Sequence, residues 1–136
     1  MSALPVSVVV DTNFLTVPVQ LGIDIFSEAE SVIERQVRFV VLQSVVSEID
    51  RRIAIGRRSS PHFRVARELV NRCEIVETPQ DIQSMPVDDQ LLEYASRVKG
   101  VLATNDRRLR QRARSLGVPV LMIRGRKRVV LEGTLL

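Results

Sequence analysis

The stretch Val8-Val9-Val10-Asp11-Thr12-Asn13 decides the fold. Three β-branched residues in succession read as a strand buried on both faces, as in a covered parallel sheet. An acid and two small polar residues then stop that strand at its carboxyl end. Ligand sites of open α/β sheets lie along that edge, so Asp11 is a candidate site residue from the start.

Working outward, the first strand runs from about Val6 to Val10. Phe14 to Phe26 is apolar but broken by Pro18 and Gly22, which predicts a short helix and a turn. Ser27 to Gln36 reads as a helix with Ser27 as N-cap and Glu30 at the reciprocal position. Phe39 to Leu42 is a second strand. Ser44 can cap a helix from Val45 to about Ile55, striped by Val45, Ile49 and Ile53, with Gly56 and Arg57-Arg58 at its end. Ser60-Pro61 opens a helix to about Arg72, and Glu74 to Val76 is a third strand. After the polar loop Thr78 to Pro86, Val87-Asp88-Asp89 opens a helix through Leu91, Leu92, Ala95 and Val98, closed by Gly100.

Val101 to Thr104 is a fourth strand, Arg107 to Leu116 a helix, and Val120 to Ile123 a fifth strand after Gly117 and Pro119. The tail, residues 124–136, is basic and then apolar, suited to an edge hairpin or a cover strand. Strands alternating with helices at this spacing predict a three-layer α/β/α sandwich with a mostly parallel sheet of about five strands.

The 136 residues are the size of one domain, 1–136, able to bury an ordinary core without staples. With 45% hydrophobic residues, 4% aromatic and no Trp, that core is built from Val, Leu, Ile and Ala. The lone Cys73 cannot form an internal disulfide, which suits a reducing compartment. Met1 to Val10 lacks the charged start of a signal peptide, and no apolar run approaches the roughly 18 residues a membrane span needs. The expected location is the cytoplasm, with no membrane partner.

Two strand exits share one grammar, an apolar run, an acid and a helix: Asp11-Thr12-Asn13 and Thr104-Asn105-Asp106. Glu48 and Asp89 enter near the starts of helices that follow strands two and three, which is the same sheet edge. Close carboxylates repel, and without a cation some take up a proton, so a preserved cluster makes most sense around a bound ion. All-oxygen ligation favours Mg²⁺ or Mn²⁺ over zinc. Only His62 and Cys73 offer softer ligands, away from this pattern. Helix capping, a role worth roughly 0.5–2 kcal/mol, accounts for Asp11, Asp88, Asp89 or Asp106 taken singly. It does not account for Glu48.

Taken together, these residues resemble the PIN-domain nucleases. Asp11-Thr12-Asn13 is similar to that family's first motif, Glu48 to its second, Asp89 within Asp88-Asp89-Gln90-Leu91-Leu92 to its third, and Thr104-Asn105-Asp106 to its fourth. The aspartate pair before Leu-Leu, the run Asp106-Arg107-Arg108-Leu109-Arg110 and Gly117-Val118-Pro119 look most like single-domain archaeal proteins akin to the ribosomal-RNA-processing members. The resemblance implies an endoribonuclease with Asp11, Glu48, Asp89 and Asp106 as catalytic Mg²⁺ or Mn²⁺ ligands. It implies supporting polar roles for Thr12, Asn13, Asp88, Thr104 and Asn105, and ribosomal RNA as a candidate substrate. For the third motif the helical wheel disagrees, placing Asp88 about 20° from the apolar centre and Asp89 about 120° from it.

Lys and Arg outnumber Asp and Glu by 20 to 16, a net charge of +4. The excess is concentrated in Arg107, Arg108, Arg110, Arg112, Arg114, Arg124, Arg126, Lys127 and Arg128, with no acid among them. Because this block starts beside Asp106, a polyanion drawn to it would lie across the acids, which makes these residues the expected RNA-binding set. Few aromatics are available for stacking, so recognition should lean on phosphate. Arg51, Arg52, Arg57 and Arg58 form a second basic group.

Other readings separate on specific residues. A phosphorelay receiver needs a phosphoacceptor Asp at a mid-chain strand end, where Glu77-Thr78 stands. An aspartyl phosphatase needs an acid two residues after Asp11, where Asn13 stands, and a P-loop needs a Gly-Lys-Ser/Thr that is absent. The rivals that remain are a catalytically weak PIN module binding RNA or protein through Val129 to Leu136, and a toxin-type ribonuclease with an antitoxin partner. A homodimer is compatible with either.

Overall fold

The computed structural model describes residues 4–56, 58 and 60–135. Met1, Arg57 of the second basic group and Leu136 of the tail lie outside the described residues. Six strands form one sheet in the order β3-β2-β1-β4-β5-β6. β1 (Val6–Val10) is central and parallel to β2 (Val37–Leu42) and β4 (Val101–Ala103), with Val8 opposite Val101 and Val10 opposite Ala103. β3 (Glu74–Val76) and β5 (Val120–Arg124) extend the parallel sheet on either side. β6 (Arg128–Glu132) returns antiparallel on β5. The sheet thus has six strands where about five were expected, because the tail closes as an edge hairpin.

The helices are α1 (Thr12–Leu21), α2 (Ile25–Ile33), α3 (Gln43–Ile55), α4 (Ser60–Leu69), α5 (Val87–Arg97) and α6 (Arg107–Ser115). α1 packs on α2 and α4, and α3 on α4; α5 packs on β1, β4 and α6. The chain moves outward from β1 to β2 to β3, then returns across β1 to β4 and β5. Right-handed crossovers in these two directions put α1 to α4 on one face and α5 and α6 on the other. The order reverses between β1 and β4, and their carboxyl ends form the switch-point crevice where such sheets bind ligands. Val8, Val9 and Val10, at most 1% exposed, are as buried as a strand between two helix layers should be.

Several local expectations are corrected. α2 starts before Ser27: Asp24 is its N-cap, with Oδ1 accepting from the N–H groups of Phe26 and Ser27, and the earlier start buries Ile25 and Phe26. α1 continues through Pro18 to Leu21, anchored by buried Phe14, Leu15 and Val17. Ser44 is not a cap. α3 begins directly from Leu42 without a side-chain cap, and Ser44 lies in its first turn. At the end of α5 the left-handed residue is Lys99, at φ 52°. Gly100 is needed for clearance, since a Cβ there would meet the Ser7 carbonyl oxygen at 2.5 Å. No helix among the described residues is long and apolar enough to cross a membrane.

Candidate active site

Asp11 leaves β1 at the switch point and is 8% exposed. Its Oδ1 accepts the Thr12 N–H at 2.8 Å, and its Oδ2 accepts the Thr104 hydroxyl at 2.7 Å. Thr104, fully buried at the end of β4, also accepts the Asp106 N–H on Oγ1 at 3.1 Å. Asn13 ties the same two exits together, its Oδ1 accepting the Asn105 N–H at 3.0 Å. The side chain of Asn105 points back into the sheet, where its Oδ1 accepts the Ile123 N–H at 2.9 Å. It is a staple between the β4 exit and β5. Asp106 caps α6, with Oδ1 on the Leu109 N–H at 2.8 Å.

Burial pushes the Asp11 carboxyl up to about 6, against the pull of the Thr104 hydroxyl and the Thr12 N–H and with added repulsion from Asp88 and Glu48. Asp88 is raised as well, by burial and then by the charge of Asp106. Asp11, Glu48, Asp88 and Asp106 therefore form one electrostatic neighbourhood built from β1, α3, α5 and the β4 exit. Asp89, the next residue of α5, is ion-paired with Arg112 of α6. Asp88 is exposed and Asp89 half-buried, and of the two it is Asp88 whose charge acts on Asp11.

No group of three His, Cys, Asp or Glu among the described residues closes to ligand distance by itself. The acids are all oxygen donors, the chemistry that a hard divalent cation takes, and the Asp11 carboxylate carries a charge that its surroundings disfavour. The softer alternative is elsewhere: the Cys73 thiol, its Sγ toward the Leu69 carbonyl, is pushed up by burial to about 11.

The basic block is not one-signed in space. Glu132 of β6 pairs with Arg110 at 3.4 Å, Arg114 at 2.5 Å and Arg124 at 3.9 Å, and Asp89 takes Arg112. Arg110 is further committed to Met122 Sδ at 2.9 Å. Arg107, Arg108, Arg126, Lys127 and Arg128 are exposed and lack an acid partner among the described residues. Of these, Arg107 and Arg108 follow Asp106 directly, and Arg108 acts electrostatically on Asp88. In the second basic group, Arg52 lies over the Phe63 ring at 5.5 Å.

Between the start of α3, the segment after β3 and α5 is a polar hollow lined by Ser44, Ser47, Glu77, Thr78 and Gln90. Gln90, buried in α5, went unnoticed in the sequence because a lone Gln in a helix carries no signal.

A family model described as "PIN like domain" matches residues 8–126. Ribonuclease VapC9 of Archaeoglobus fulgidus is 30% identical over 96 residues, covering 70% of this chain and 67% of that protein. Among solved structures, the PIN domain endonuclease Utp24 superposes with TM-score 0.79 at 24% identity, covering 96% of this chain and 94% of the other. A domain of a functionally unknown protein from Methanocaldococcus jannaschii superposes with TM-score 0.65 at 16% identity, covering 88% and 92%.

Proposed function

The chain belongs to the PIN-like domain family, and from that premise we propose that it is an endoribonuclease dependent on Mg²⁺ or Mn²⁺. The observation that carries this is Asp11: a buried carboxylate at the switch point, raised to about 6 by burial and by Asp88 and Glu48. A group in that state has use for a cation. The named activity of the VapC9 relative, a ribonuclease, supports RNA as the substrate.

Asp11, Asp88 and Asp106 would hold the ion, with Glu48 from α3 as the further acid. When bound, it supplies Lewis-acid polarisation of a phosphate and a more acidic water. The chain's own residues do the positioning. The Thr104 hydroxyl and Thr12 N–H hold the two Asp11 oxygens in fixed directions. Asn13 locks the β1 exit to the β4 exit, so Asp11 and Asp106 keep their spacing. Arg107 and Arg108 supply positive charge next to Asp106 and draw the RNA backbone over the acids. The same site would serve a ribosomal-RNA-processing enzyme and a toxin-type ribonuclease, since both hydrolyse phosphodiesters.

The test is cleavage of single-stranded RNA by the purified protein with Mg²⁺, with Mn²⁺ and with chelator. The expected result is cleavage that needs the metal and is lost in Asp11→Asn while the circular dichroism spectrum is retained. Equal cleavage by wild type and variant would overturn the mechanism. Salt-sensitive RNA binding without metal-dependent cleavage would support the binding-module reading.

A further inference from the structure

A groove of about 490 Å³ runs along α6, between that helix and the β5–β6 hairpin. Arg107, Arg110, Gln111 and Arg114 line it, and at 3.6 residues per turn they share one helix face about 100° wide. Val118 and Val120 form its floor, and Glu132, Gly133 and Thr134 its far wall. Arg107 to Arg114 spans about 10.5 Å of helix, so the groove is a track. Its upper end is at the acid edge. Arg107 follows Asp106 directly, and the Asp106 N–H is bonded to the Thr104 hydroxyl that holds Asp11. β5 runs parallel to β4, and Asn105 Oδ1 takes the Ile123 N–H, so the turn after Arg124 stands at that edge too. The lower end, at Gly117 and Val118, is at the opposite edge, just before β5 begins.

The occupant's chemistry follows from the whole lining. Three guanidinium groups face one carboxylate, a net charge of +2. Glu132 is spent on the arginines, its Oε1 on Arg110 and its Oε2 on Arg114 Nη2. Arg110 is likewise committed, to Glu132 and to Met122 Sδ. Two cations are left for a ligand. Arg107 is exposed and has no acid partner among the described residues. Arg114, with a side chain 74% exposed, is held through Nη2 alone among the described residues, which leaves Nε and Nη1 to donate. Gln111 and Thr134 are exposed and neutral, able to donate to an oxygen or accept from a hydroxyl. No aromatic ring lines the groove for a base to stack on, and Val118 and Val120, 6% and 3% exposed, offer little apolar surface to a peptide. Two separated anion sites on a track that starts at the acids fit a phosphate backbone. We infer that the groove carries a single strand of RNA onward from the acids, with phosphates at Arg107 and Arg114 and no base read. It rests on the ribonuclease reading and deepens it by naming the substrate class. At roughly 3.4 Å of rise per nucleotide the track holds about three stacked nucleotides. A space of small-ligand size, within roughly 300–1,000 Å³, admits one strand and no duplex.

The test is binding of a fluorescent RNA dodecamer, single-stranded or paired with its complement, in chelator so that nothing is cleaved. Arg114→Ala and Gln111→Glu, both at exposed positions of α6, should each weaken the single strand on the order of fivefold, and Gln111→Lys should tighten it. Arg114→Ala should also lower the salt slope by about 1. Gln80→Glu, the same charge change at an exposed position beyond β3 at the other end of the sheet, should change affinity less than about twofold, as should all these substitutions for the duplex. Single-strand affinity untouched by Arg114→Ala and Gln111→Glu would overturn the groove as an RNA track, and Arg114-dependent binding of an oligoglutamate peptide in that case would give it to an acidic protein partner. An equal loss in Gln80→Glu, or an equal loss for the duplex, would overturn it as well. Cleavage is scored separately. These effects without metal-dependent cleavage would keep the groove and remove the nuclease, and metal-dependent cleavage without them would do the reverse.

Discussion

Thr104 Oγ1 donates to Asp11 Oδ2 at 2.7 Å and accepts the Asp106 N–H at 3.1 Å. One buried hydroxyl thus aligns the acids of two strand exits. Its donated bond also opposes the burial that raises Asp11, so Thr104 sets both where that carboxylate points and when it ionises.

Thr104→Val should therefore cost about 1–3 kcal/mol, the penalty for unpaired buried groups at Asp11 and Asp106, read as a lower thermal midpoint. The pH at which metal-dependent cleavage switches on should move upward, because Asp11 loses a bond that favours its charged form. Thr104→Ser should restore both. A normal pH profile in the valine variant would remove Thr104 from control of Asp11.

Asp88 and Asp89 should separate in the laboratory. Asp88→Asn removes a carboxylate coupled to Asp11 and Asp106, and should weaken Mn²⁺ binding and lower cleavage by at least tenfold. Asp89→Asn breaks only its partly exposed pair with Arg112, worth about 0.2–1 kcal/mol, and should leave Mn²⁺ affinity nearly unchanged. The reverse order in Mn²⁺ titrations would return Asp89 to the site.

In chelator, stability should fall as pH rises from about 4 to about 6. The folded-state value of Asp11 is raised above its ordinary 3.8 to about 6, so the native state binds that proton more tightly. Its contribution is complete below the ordinary value and is lost as pH rises through about 6, to a limit of roughly 3 kcal/mol. The lowered carboxylates Asp24, Glu74 and Asp81 act in the opposite sense, and do so below the ordinary carboxylate range. Asp11→Asn should flatten this part of the profile, and Mg²⁺ should restore stability at pH 7. Thermal midpoints across pH, with and without metal, check all three.

The basic face should divide by partner. Arg107 and Arg108 changed together to Ala should reduce the slope of log binding constant against log salt by about 1 to 2. Arg110→Ala should instead lower stability, because Arg110 is held by Met122 and Glu132. An unchanged slope in the double variant would take Arg107 and Arg108 off the RNA path.

The strand exits are legible in the sequence because burial on both faces leaves an unbroken apolar run that only a polar exit can end, as at Val8 to Asp11 and Val101 to Thr104. The first turn of α5 is not legible in the same way: the wheel places Asp88 near the apolar centre, yet Asp88 is exposed and Gln90, two residues on, is buried through its bonds to the preceding loop. Nor is the Glu132 pairing: it reaches Arg110 and Arg114 only because the β5–β6 hairpin folds it back against α6, which no local pattern encodes. The start of α2 was obscured by two eligible caps three residues apart, and the burial of Ile25 and Phe26 favours Asp24. The burial of Gln90 depends on carbonyls of a neighbouring loop, and becomes visible only when that loop is in place.

The most direct measurement of the central claim is the position of Mn²⁺ by anomalous scattering from a metal-soaked crystal. The expected result is an ion bound to the Asp11 carboxylate, with Asp88 and Asp106 beside it and Glu48 facing it. An ion bound away from Asp11, or saturating Mn²⁺ with no peak at the β1–β4 exit, would contradict it.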